Sequence, residues 1–149
     1  MAISMVAALA LIRDQIATIT SISSVYSAGD TDTGAIPEAL NDLPAAIIYP
    51  GPDTEPYELV NGWHTHTYEV AVQLFEQGVD TGERAASLAP MVDRIIEAMA
   101  LGVKLGGSVT YCLFRRSSGF VTLEYGGVEY LGYEVTLEVK ESALVSPVA

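Results

Sequence analysis

His64 and His66 are the only imidazoles in a chain of 149 residues, and they stand two apart in the stretch WHTHTYEV. At that spacing both project from one face of a β-strand, as paired metal ligands often do. A metal centre needs a third and usually a fourth ligand, with outer partners that orient them. The sequence holds no further histidine and one cysteine, Cys112, which sits in a strand-like alternation. A carboxylate such as Glu58 could complete a set, but no spacing selects one. The pair therefore reads as the wet beginning of a strand whose core starts at Val70, and no metal or cofactor is assigned.

Other candidates for chemistry meet similar tests. Cys112, between Tyr111 and Leu113, reads as a small buried hydrophobe, because a nucleophile needs an activating base and an exposed position. Asp30 and Asp32 begin like a calcium loop, but the sixth and twelfth positions are Ala35 and Asn41 where that loop requires Gly and Glu. Leu105-Gly106-Gly107-Ser108 has no lysine after it and is no phosphate loop. Arg115-Arg116 is the most concentrated basic feature, two of seven bases side by side at what reads as a hairpin tip. It is either ordinary turn solvation or a contact with an acidic surface of another subunit, which this chain would itself supply.

Nineteen acids against seven bases leave a formal charge of −12, which argues against tight binding to nucleic-acid phosphates. Half the residues are apolar and 17% are charged, the composition of a folded domain. One cysteine excludes a disulfide framework within the chain. The apolar start, MAISMVAALALI, has no preceding Lys or Arg and is too short to span a membrane, so a soluble protein of a reducing cytoplasm is expected.

Apolar periodicity places the elements that must position these residues. Met5, Leu9, Ile12, Ile16 and Ile19 form a helical stripe ending near Thr20. A short strand at Ser23–Ser27 precedes a long polar loop, Ala28–Pro44, with a helical turn at Pro37–Asn41. Ala45–Tyr49 is a strand stopped by Pro50-Gly51-Pro52, and Tyr57–Val60 is a short strand within the arm Asp53–Gly62. Trp63–Glu76 is a long alternating strand. Asp80–Gly102 is a second helix with Asp80 and Glu83 as a capping box, and Pro90 implies a kink or a start nearer Ala89. The last third reads as a three-stranded meander: Val109–Phe114, a turn at Arg115–Gly119, Phe120–Tyr125, a Gly126-Gly127 turn, and Val128–Lys140. The expected fold is α+β, an antiparallel curved sheet packed against two amphipathic helices in the order α-β-β-β-α-β-β-β. A single domain covers residues 1–141, and the tail 142–149 is ordered only if a partner holds it.

An N-terminal helix, the PAAIIYPGP strand and turn, the HTYEVAVQLFE strand, the GERAASLAPMVDRIIEAM helix and the closing VTYCLF…GFVTLEYGGVEYLGYEVTLEVKE stretch together resemble the tail terminator proteins of long-tailed bacteriophages. They are more loosely similar to related tail-completion and neck proteins. The resemblance spans Ile3 to about Glu141 and rests on element order and texture, not on an invariant motif. It implies a virion structural protein with no catalytic residues, made in the bacterial cytoplasm and placed at the head-proximal end of the tail. A hexameric ring would cap the tail tube, stop its polymerisation and receive the head connector or neck protein, while DNA passes an acidic lumen without tight binding. The candidate subunit contacts are Asp30, Asp32, Tyr57, Glu58, Trp63, Arg115 and Arg116. The alternatives are another neck, tail-completion or tail-tube ring subunit, or, in a different class, a small α+β enzyme or ligand-binding domain with the histidine strand lining its pocket.

Overall fold

A computed structural model describes residues 5–28, 40, 42–53, 58–60, 63–76, 81–101 and 110–144. The elements run α1 (Met5–Ala17), β1 (Ser24–Ser27), β2 (Ala45–Asp53), β3 (Glu58–Val60), β4 (Trp63–Glu76), α2 (Thr81–Leu101), β5 (Tyr111–Tyr125) and β6 (Val128–Leu144). The main sheet order is β1-β2-β4-β6-β5, with β3 pairing the start of β4. All neighbours are antiparallel except β1 and β2, so the sheet is mixed. This is an α+β fold with a curved, open sheet and two helices.

The helices exist because their apolar stripes have a sheet face to cover. Leu9, Ile12, Ile16 and Ile19 of the α1 region, and Leu88, Val92, Ile95 and Met99 of α2, are buried against Tyr68, Val70, Val72 and Leu74 of β4 and Val135, Leu137 and Val139 of β6. Burying each large apolar side chain contributes about 1.5–3 kcal/mol before entropy is counted. Helix α1 stops where Thr18 Oγ1 donates to the Gln15 carbonyl at 2.7 Å and Ile19 N donates to the Ile16 carbonyl at 3.0 Å. Helix α2 runs through Pro90 and does not begin near Ala89. The carbonyl that Pro90 leaves unbonded belongs to Ala86, and both residues lie on the solvent face, where water can accept that role.

The opposite face carries a smaller cluster. Leu40, Ala45, Ile47, Phe75 and Tyr130 are buried there, with Tyr26, Leu43, Tyr49, Leu123 and Tyr125 around them. Phe75 meets Tyr125 and Tyr130 edge-on, each at 5.7 Å between ring centres. Beyond it no described helix covers this face, where Thr67 and Thr136 are buried and Glu69, Gln73, Glu134 and Glu138 are partly exposed.

The largest departure from the sequence reading lies in β5. Arg115–Gly119 is not a turn, and the three-stranded meander is a single long hairpin of β5 and β6. Register shifts fall between Phe114 and Arg116 and between Ser117 and Phe120. The residues that favour turns here build bulges within one strand. Gly119 takes a φ of 73°, and Ser118 Oγ accepts the Glu134 amide at 3.0 Å while donating to the Gly119 carbonyl at 2.7 Å. Tyr133 donates its hydroxyl to Ser117 Oγ at 2.9 Å, which ties the bulge to the next strand. The true turn is Gly126-Gly127, with φ of 59° and 80°.

Strand β2 continues through Pro50-Gly51-Pro52 to Asp53 across a register shift, so the prolines bend the strand without ending it. Strand β6 extends to Leu144, paired with Trp63, past the expected end of the domain at Glu141. The Pro37–Asn41 turn and the Asp80 cap rest on positions outside the described residues, although Leu40 itself is buried.

Candidate functional site

Two groupings of polar side chains stand out, one on each face of the sheet. The first lies on the open face across β4, β6 and β5. Glu69 of β4 is directly opposite Glu138 of β6, a pairing of like charges that is unfavourable alone. The bulge brings two cations to it. Arg116 donates to both Glu69 oxygens, at 2.9 and 2.7 Å, and Arg115 Nε lies 3.9 Å from Glu138 Oε1. Tyr111 donates its hydroxyl to Glu138 Oε2 at 3.0 Å, and Gln73 donates to Glu134 Oε2 at 2.7 Å. The arginine side chains remain 54% and 60% exposed, so they screen the acids from the solvent side and keep donors available to a partner.

The second grouping is buried beneath the helix-covered face. His66 is 8% exposed and Tyr68 fully buried, so the core begins at His66 and the expectation of a wet histidine is corrected. The two rings are 4.8 Å apart. Glu141 pairs with His66 across the strands, and Val139 joins Tyr68 to Cys112 in the next row. The Tyr68 hydroxyl lies beside the Glu141 carboxylate and interacts with it electrostatically, yet Tyr68 Oη and Glu141 Oε1 are buried without a well-aligned hydrogen bond. Burial pushes the Glu141 carboxyl above its usual range, opposed by Tyr68 and His66. Burial, then Glu141, pushes the Tyr68 phenol up. Burial pushes the Cys112 thiol up to about 12.

Of the candidate contact residues singled out from the sequence, Arg115 and Arg116 are the ones whose side chains are described. Asp30, Asp32 and Tyr57 lie outside the described residues. Glu58 and Trp63 are placed by their backbones, Glu58 opposite Thr65 and Trp63 opposite both Val60 and Leu144, with side chains outside the described set. The same holds for the side chain of His64. Arg115 and Arg116 are mid-strand, each facing an acid of its own sheet, so the hairpin-tip assignment is overturned. Sequence reasoning missed Glu141 as the partner of His66, and Glu69 and Glu138 as partners of the arginines. The alternation of β6 does carry a signal for Glu141, since it follows Val135, Leu137 and Val139 at steps of two on the core side.

In comparison with known proteins, no family model matches the chain and no curated protein matches it. Among the described residues, no group of three or more His, Cys, Asp and Glu is placed to hold a metal ion, and no helix is long and apolar enough to cross a membrane.

Proposed function

We propose that the chain is a ring subunit of the tail-terminator type: it caps the head-proximal end of a phage tail tube, ends tube growth and offers the surface on which the head connector or neck protein docks. The observation that carries this reading is one helix-covered sheet face combined with a second face that no described helix covers and a long outer strand, in nearly the element order the resemblance requires. A closed ring of identical subunits needs surfaces of this kind to bury. The acid excess supports a lumen past which DNA slides without sticking. The role proposed is structural and non-catalytic, in the virion, after synthesis in the host cytoplasm.

The same surfaces would serve another neck or tube ring subunit, and polymerisation separates the two. Tube subunits assembled with the purified chain should stop growing and carry it at one end. Incorporation along the whole tube would make it a tube subunit, and tubes that grow unaltered with no chain bound would contradict the reading. The buried His66–Tyr68–Glu141 group favours a different reading, a small ligand-binding domain in which Tyr68 Oη and Glu141 Oε1 meet a ligand. In that case His66→Ala with Glu141→Gln would abolish function. A ring subunit carrying both changes would still cap tubes once folded.

A further inference from the structure

Strand β5 is the outer strand of the sheet, and among the described residues nothing pairs with its far side. An open edge of 15 residues presents a row of unbonded N–H and C=O groups, which is a template for another strand. Its two register shifts limit that template, because bulged backbone cannot match a regular partner. The longest regular stretch is Phe120–Tyr125, in unbroken register with β6 from Tyr133 to Val128.

Among the described residues, three of the five exposed large apolar side chains lie on this strand: Leu113, Phe114 and Phe120, the last 44% exposed. Phe120 stacks edge-on against Tyr133 at 5.2 Å. The two rings, with Ala89, Val92 and Asp93 of α2, line a notch of about 140 Å³ beside the free edge. Strand β5 carries two bases, Arg115 and Arg116, and one acid, Glu124, opposite Glu129 of β6, in a chain of 19 acids and seven bases. Arg115 is held only at 3.9 Å from Glu138, and the two bonds of Arg116 leave it further donors. The partner with the complementary charge is a second copy of the same chain.

We infer that Phe120–Tyr125 of β5 is a docking edge for a second copy, which adds an extended acidic segment along the free side of the strand. It seats one apolar side chain in the notch beside Phe120 and meets Arg115 and Arg116 with its carboxylates. The contact rests on the ring reading in one respect. Closure around a circle requires head-to-tail contact, so the second copy offers a surface other than its own β5.

Hydrogen exchange on the full chain, separated into monomer and oligomer, tests this together with two variants. Amides of Phe120–Tyr125 that point away from β6 should exchange at least about tenfold more slowly in the oligomer. Phe120→Glu should stay folded by circular dichroism and run as a monomer. A photo-crosslinking residue at the exposed Thr122 should capture a second copy at an acidic segment even if Phe120→Glu fails to fold. An oligomer that protects other segments, with no capture from Thr122, overturns the β5 edge and leaves the ring reading standing. A chain that stays monomeric at every concentration, with and without tail tubes, overturns both.

Discussion

Glu141 sits at the inner edge of the core with its carboxyl held above the usual range by burial, and that has a consequence for stability. A carboxyl whose pKa is raised on folding binds its proton more tightly in the folded chain. Its contribution is therefore fully present below the unfolded pKa and is lost as pH rises through the folded value. Above the folded value the ionised group is a burden, relieved only in part by the Tyr68 hydroxyl and His66. Thermal melts of Glu141→Gln against the parent should show the variant equal or higher at neutral pH. The parent should gain on it as pH falls toward the ordinary carboxylate range. The reverse trend would mean that His66 and Tyr68 outweigh burial. Cys112 gives a second residue-scale test. A thiol raised to about 12 and fully buried holds almost no thiolate at neutral pH, so a thiol reagent should modify it only as fast as the chain unfolds. The burial of Cys112 was legible from its alternation with Tyr111 and Leu113. The surroundings of His66 were not, because they depend on which residue of a strand 75 positions away faces it across the sheet.

At the scale of elements, the sequence reading succeeded where local chemistry and long-range pairing agree. Strand β4 has the bounds its alternation gives, and Gly126-Gly127 is the turn that two positive-φ glycines favour. Arg115–Gly119 failed because Ser-Ser-Gly serves a turn and a bulge equally well, and only pairing with β6 decides between them. Ser118 tests that assignment. Its hydroxyl replaces the ladder acceptor of the Glu134 amide, so Ser118→Ala should cost about 1 kcal/mol in denaturant melts, whereas a solvated turn would lose almost nothing. Gly132 tests the packing of the same hairpin on the open face. A side chain there would collide with Leu123, which lies over the glycine next to Phe75. Gly132→Val should destabilise by about 1–3 kcal/mol, as overpacking does. Adding Leu123→Ala should recover part of the loss, a coupling that a double-mutant cycle reads directly.

For the whole molecule, the two helices close one face, so in the proposed ring the contacts fall to the other face and the β5 margin. In the proposed ring the arginine pair would serve both the sheet and the contact. Reversing Arg116 would place a third acid beside Glu69 and Glu138, so that variant disturbs the sheet as well as any contact, and Arg115→Glu is the cleaner probe. The fold class was legible because two helical stripes and several alternating strands admit few arrangements. The outer position of β5 was not, since edge exposure depends on strand order and no local pattern encodes it. In the proposed assembly, identical copies close into a ring. Electron microscopy of the purified chain, with tail tubes added, tests it most directly. Closed, six-fold rings seated at one end of each tube are expected. Monomers that ignore the tubes, or open filaments of the chain alone, would contradict it.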